Sequence, residues 1–212
     1  MIKHNYSDKY IKKIYLTINR LIKKNLNNLN LANLFKILKS NKFFLSFIIL
    51  VVLLLSYLSI PNIYNKNEIS IKLNNQLQKK FNLNFNLSGN LNYNFLPRPH
   101  FIYKNSSLLK GQNEISKIEE LKIFISLKNL FSFKNFKINN LVIKNSNFNL
   151  DNQTYDFFIK LLDNNFKDSE LIIKDSNIFY KNNDDEVLFI NKILNMKYFY
   201  DNKNLQNKVV SK

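Results

Sequence analysis

The chain has no cysteine, no tryptophan, two glycines, three prolines and two histidines in 212 residues. Without cysteine there can be no disulfide, so any portion outside a membrane must be held by packing alone. Gly89 and Gly111 stand far apart. That excludes a Walker loop and a dinucleotide-binding loop, which need several glycines to bring backbone amides up to phosphate. His4 and His100 flank a long apolar run and so cannot pair as metal ligands or as a proton relay. A Ser, His and Asp constellation would have to use His100, which follows Pro99 and has no glycine-framed serine to work with. A non-enzymatic protein without a cofactor is expected.

Acidic residues are also sparse: 15 against 32 basic ones, for a net charge of +17. Glu119-Glu120 and Asp184-Asp185-Glu186 read as solvated turns and strand edges rather than as a glycosidase-type pair, which needs two carboxylates facing each other across a cleft. The positive charge invites a nucleic-acid reading. Lys and Asn are in excess throughout, however, as an AT-rich coding sequence would produce, and the aromatics alternate with Asn rather than with Arg. A base-stacking platform interleaves aromatic and cationic groups. No nucleic-acid partner is expected.

What the chain does have is an uninterrupted apolar run over residues 43–60, FFLSFIILVVLLLSYLSI, with no charge, proline or glycine. Eighteen helical residues span roughly 27 Å, close to the hydrocarbon thickness of a bilayer. Fourteen of them are Phe, Leu, Ile or Val, each contributing about 0.3 to 0.6 kcal/mol of insertion free energy. A helix in a globular core would show a polar edge somewhere in five turns. A signal peptide would start within a few residues of the N-terminus and have a shorter core. The run therefore reads as an uncleaved transmembrane anchor. Residues 1–42 hold ten basic side chains and one acid, whereas residues 61–212 hold 22 basic and 14 acidic. The positive-inside rule then places the N-terminus in the cytoplasm and the rest outside.

Four regions follow: a basic cytoplasmic segment at 1–42, the anchor at 43–60, a linker with a short helix at 61–80, and a β domain from 81 to 212. Within the first, Ile11, Ile14, Ile18, Leu21 and Ile22 fall at helical spacing among lysines. This fits either a basic amphipathic helix on the anionic leaflet or a partly disordered tail. Ile69, Leu73 and Leu77 recur every fourth residue and predict a helix over 68–80. The period then changes to two. Phe81, Leu83, Phe85, Leu87, Leu91, Tyr93 and Phe95 alternate with asparagines, predicting one strand with a bend at Gly89 and an end at Pro97-Arg98-Pro99.

An internal repeat sets the expected architecture. FIYKNSSLLK begins at Phe101, LVIKNSNFNL at Leu141 and LIIKDSNIFY at Leu171. Each reads as a strand, a small polar break and a second strand, and stacked units of this kind bury one another's apolar faces. Residues 127–133 read as a short crossover. Tyr155, Phe158, Ile159 and Leu162 predict a brief helix capped by Asp151 or Thr154. The expected fold is membrane-anchored and mainly β: one transmembrane helix, then a curved antiparallel sheet of repeated strand units with short helices.

The order of these features resembles the N-terminal part of the AsmA family of bacterial envelope proteins. The resemblance is carried by the helix ending at Lys79-Lys80, the strand NLNFNLSGNLNYNFLP, the corner Pro97-Arg98-Pro99 with FIYKNSSLL after it, the stretch ISKIEELKIFISLKNLFSF, and the strand pair FKINNLVIKNSNFNL. It covers roughly residues 43–200. It implies an inner-membrane-anchored periplasmic protein whose sheet curls into a groove, related to bridge-like lipid transfer proteins and contributing to phospholipid transport and outer-membrane biogenesis. Family members are usually several times longer, so a truncated fragment is expected. Phospholipid, the inner membrane and envelope proteins are the expected partners. Phe81, Leu83, Phe85, Leu87, Leu91, Tyr93 and Phe95, with Leu121, Ile123, Ile125 and Leu127, are the candidate residues of an apolar lipid-lining face. The rival expectation is an envelope scaffold in which the same face is a core, closed over by residues 155–162.

Overall fold

The computed structural model describes residue 16 and residues 42–212, apart from 88–89, 129, 131, 133–135, 183 and the side chain of Phe44. The expected basic helix or tail lies outside the described residues, as does the bend expected at Gly89. The chain divides into two compact units, 1–55 and 56–212.

Helix α1, Lys42–Ser59, begins in the first unit and ends in the second. It is part of a span, Leu45–Ile63, that is long and apolar enough to cross a membrane, with a mean hydropathy of 2.2. Its large side chains are exposed; Phe43 is 90% accessible and Leu53 65%. A helix belonging to a globular core would hide them.

The second unit is a helix packed on a sheet. A 3-10 turn, Ile60–Ile63, buries Pro61 and leads to α2, Lys66–Phe81. The Asn65 side chain caps α2, accepting from Asn67 N at 2.9 Å, and Asn82 ends it in the left-handed conformation with φ 50°. Ile69, Leu73, Leu77 and Phe81 form its buried stripe. Phe81, expected as the first strand residue, is thus the last residue of the helix.

Eight strands follow: β1 Asn84–Asn86, β2 Leu91–Asn94, β3 His100–Lys110, β4 Asn113–Ile125, β5 Ile138–Leu150, β6 Glu170–Lys181, β7 Val187–Asp201 and β8 Gln206–Ser211. They make one sheet in the order β1-β3-β4-β5-β6-β7-β8, with β2 also paired to β3. The sheet is open, curved and mixed. β5 and β6 run parallel, with Leu141 opposite Leu171 and Ile143 opposite Ile173, so the expectation of a wholly antiparallel sheet is corrected. The physical reason is the connection. Residues 151–169 return across the inward face, burying Leu161 and Phe166, instead of turning back as a hairpin.

The expected single strand over 81–95 is two. Asn86 pairs with Ser107 and Leu91 with Tyr103, so four residues on one side stand against three on the other.

Candidate functional site

The repeated Lys-Asn/Asp-Ser segments sit in the middle of continuous strands, not between two strands as their sequence suggests. Asn105, Asn145 and Asp175 have φ of 56°, 51° and 48°, the left-handed region that Asn and Asp tolerate best among non-glycine residues. The pairing places them in register. Lys104 pairs with Glu120 and Ser106 with Ile118; Glu120 pairs with Lys144 and Ile118 with Ser146; Lys174 pairs with Asn195 and Ser176 with Ile193. Asn105, Glu119, Asn145, Asp175 and Leu194 therefore form one row across five strands.

At that row every strand changes which alternate residues face inward. On β5 the buried set is Leu141 and Ile143 before the row, then Ser146, Phe148 and Leu150 after it; on β6 it is Leu171 and Ile173, then Ser176 and Ile178. An extra residue on one strand alone would have turned its apolar side to solvent. Repeated in step on every strand, it creases the sheet and keeps one apolar side inward. Serines supply the small inward residue: Ser106, Ser146 and Ser176 are at most 3% exposed. The Ser176 hydroxyl donates to Lys174 O at 2.7 Å and accepts from Ser146 N at 3.1 Å. Among the described residues the hydroxyls of Ser106 and Ser146 have no partner.

This inward side is covered over much of its area. Ile69, Leu73, Leu77 and Phe81 of α2 join Phe101, Tyr103, Leu121, Ile123, Leu141 and Ile143 in one core. Polar contacts hold the helix in place. Gln76 Nε2 donates to Phe136 O at 2.8 Å while Ile138 N donates to Gln76 Oε1 at 3.0 Å. The Tyr103 hydroxyl donates to Ser70 Oγ at 2.6 Å. The Lys80 ammonium donates to Ile138 O at 2.7 Å, and its burial, with Lys137 nearby, lowers its pKa against the opposing pull of Asp168. Beyond the crease the cover is the connection after β5, which includes the one-turn helix α3, Phe157–Lys160. The Phe148 ring lies 5.1 Å from that of Phe158, and the Tyr198 hydroxyl donates to Phe158 O at 2.9 Å. Of the residues expected on the apolar side of this segment, Phe158 and Leu162 pack on the core, whereas Tyr155 and Ile159 are 65% and 69% exposed; Phe157, Leu161 and Phe166 pack as well. Asp151, an expected cap, serves a turn by accepting from Gln153 N and Thr154 N, each at 2.9 Å.

The eleven candidate lining residues fall accordingly. Phe81, Leu83, Phe85, Leu91, Leu121, Ile123 and Ile125 are at most 5% exposed within the core, and Leu87 and Tyr93 are packed against it. Phe95 lies past the end of β2 and is half-buried. Leu127 lies past the end of β4 and is 55% exposed. An open trough over these positions is not what the chain forms: α2 occupies it. Leu83 borders a cavity of about 330 Å³ with Leu109, Phe157 and Leu161. Leu91 and Tyr93 border another of about 490 Å³ beside Tyr64 and Lys66.

Sequence reasoning missed where the inward row loses its cover. Tyr180 stacks on Phe189 at 4.2 Å between ring centres, which puts Phe189 on the inward side of β7, yet it is 51% exposed. On β8, Val209 pairs with the inward-facing Tyr198 and is 40% exposed. The signal was the run Val187-Leu188-Phe189-Ile190, apolar on both faces of one strand. The acid clusters differ from expectation in one respect. Asp184-Asp185-Glu186 lies in the β6–β7 turn, but Glu119-Glu120 sits mid-strand on the outward face, where Asn145 Nδ2 donates to Glu119 at 3.0 Å and Lys122 pairs with Glu120 at 3.1 Å. Among the described residues no group of three or more His, Asp or Glu could hold a metal ion.

Creased strand units stacked edge to edge under a short helix, preceded by one long apolar helix, define a class of repeat-built β protein whose apolar side is lined in rows. The AsmA family model matches residues 23–182, three quarters of the chain, and the protein belongs to that family, which is associated with assembly of the outer membrane. No curated protein matches the chain.

Proposed function

We propose that this chain forms an anchored and capped lipid-handling sheet in the cell envelope. In this reading α1 spans the inner membrane with residues 1–42 in the cytoplasm, and the sheet stands in the periplasm. Phospholipid acyl chains engage the inward apolar row where it emerges from the closed core, on β7 and β8. The observation that carries the reading is the change in cover along one continuous side: Leu171 and Ile173 are fully buried, Ile178 is 5% exposed, and Phe189 and Val209 are 51% and 40% exposed. Apolar surface left in water costs about 25 cal/mol per Å², which an acyl chain laid along it would recover. The headgroup stays in solvent, where its charge remains hydrated. No covalent step is required.

The closure beneath α2 favours the second reading, a scaffold that tethers envelope proteins and carries no lipid. The two differ at β7 and β8. A photo-crosslinking residue at Phe189 or Val209 is expected to capture phospholipid in cells, while the same residue at the buried Leu83 or Ile123, or at the outward Asn147, is not. Absence of lipid at Phe189 and Val209, or equal capture at Asn147, refutes lipid handling and leaves the scaffold.

A further inference from the structure

Besides the single helix, the second unit has a rim that fits a bilayer surface. The last turn of α1 lies inside the apolar span, and three tyrosine hydroxyls bind the β domain to it and to the linker that follows. The Tyr57 hydroxyl donates to Leu127 O at 2.7 Å and accepts from Leu130 N at 3.3 Å. The Tyr64 hydroxyl donates to Leu130 O, and that of Tyr93, on β2, donates to Leu58 O at 2.7 Å. Tyr57 and Leu58 belong to the span Leu45–Ile63. Where that span crosses a bilayer, groups within one hydrogen bond of them lie in its last two turns, near its exit.

Two loops of the sheet meet there. The corner after β2 and the loop after β4 adjoin, Ile125 N donating to Pro99 O at 3.0 Å. Their tips are apolar and bare: Leu96 is 70% exposed, Leu127 55%, and Ile63 of the linker 85%. Residues 60–66, 95–99 and 126–130 together carry three cations, Lys66, Arg98 and Lys128, and no acid. Exposed apolar side chains with cations and no acid in the same segments are the chemistry of an interfacial contact, the former entering the acyl boundary and the latter meeting phosphates. Tyrosines are at home at the same level, ring in the apolar zone and hydroxyl bonded.

We propose that the corner 95–99 and the loop segment 126–128 rest on the anionic phospholipid surface around the exit of α1, so that the β domain is seated on the membrane at several points rather than swinging from one helix. This rests on the reading that α1 spans the bilayer, and the experiment separates the two. The absence of native cysteine allows single cysteines to be introduced at the exposed positions Phe47, Leu96, Leu127 and, as a distant control, Lys117, each labelled with an environment-sensitive fluorophore. The full chain is reconstituted in vesicles of phosphatidylethanolamine and phosphatidylglycerol. The expected result is blue-shifted emission at Phe47, Leu96 and Leu127, with the latter two quenched by shallow lipid-borne quenchers, and water-like emission at Lys117. Water-like emission at Leu96 and Leu127 with Phe47 still blue-shifted overturns the seating and leaves the anchor. An equal shift at Lys117 also overturns it, because contact would then not be confined to the rim. Water-like emission at Phe47 overturns the anchor itself and the seating with it.

Discussion

Asn105, Asn145 and Asp175 hold a backbone conformation that costs most L-residues about 1–2 kcal/mol, and more where the side chain is β-branched. Asn145→Val is therefore expected to destabilise the domain by about 1–2 kcal/mol or more, while Asn145→Gly stays within about 0.5 kcal/mol because glycine enters that region freely. Urea midpoints of the two variants, followed by tyrosine fluorescence since there is no tryptophan, check the difference; equal midpoints would mean that the crease does not depend on this residue. Tyr93 gives a second test at a single side chain. Burial pushes its phenol up to about 12 from the usual value of 10.0. With the folded value raised, the neutral phenol's contribution is fully present below pH 10, where both states keep the proton. It falls as pH rises from 10 through 12, because the unfolded chain ionises first. Between those values the native chain is expected to lose stability more steeply than Tyr93→Phe, by at most about 1.4 kcal/mol per pH unit. Parallel unfolding curves at pH 10, 11 and 12 would refute this.

Helix α2 was legible because its apolar residues recur at four-residue intervals and its cap Asn65 stands immediately before Lys66; the observed bounds extend the expected helix by only two residues at its start and one at its end. The alternation over 81–95 was legible as a strand, and the parity of Leu83, Phe85 and Leu91 came out on one side. What the alternation could not say is whether that side faces a ligand or a helix, since both require the same apolar residues. The repeat was legible as units, but a Lys-Asn-Ser tripeptide looks alike whether it ends a strand or creases one. The register that decides between them is set by partners far away in sequence. The parallel β5–β6 pairing depends on where residues 151–169 pack, which no short period encodes. That α2 is part of the core, not a loose cover, leads to a prediction. Leu73→Ala is expected to cost about 2–5 kcal/mol, as for other large buried residues cut to Ala. Gln76→Leu is expected to cost about 0.5–1.5 kcal/mol, because Ile138 N–H and Phe136 C=O would lose the hydrogen bonds they make with its amide. Hydrogen exchange at Ile138 should accelerate in both variants; unchanged exchange there would mean that α2 is not what protects the start of β5.

The arrangement of the whole domain decides how any lipid could use it. If α2 were a lid, lifting it would uncover Ile69, Leu73, Leu77 and Phe81 together with the sheet residues beneath them. The contact of a single fully buried Leu or Phe is worth about 1.5–3 kcal/mol, so exposing such a set at once would cost much of the stability of a domain this size. The inward side beyond Ile178 needs no such opening, since Phe189 and Val209 already face solvent. The helix is therefore expected to stay closed while lipid engages the uncovered strands. Exposed Lys79 on the last turn of α2 and exposed Lys137 just before β5 border one cavity of about 530 Å³. Replacing both with cysteine in a chain that has none of its own allows a short bismaleimide to fasten α2 to the sheet. With the fastener in place, phospholipid capture by a photo-crosslinker at Phe189 should equal that of the unfastened double variant. Loss of capture on fastening, restored when a cleavable linker is cut, would instead make α2 a moving gate and would return the buried residues Leu83, Leu121 and Ile123 to the lipid path.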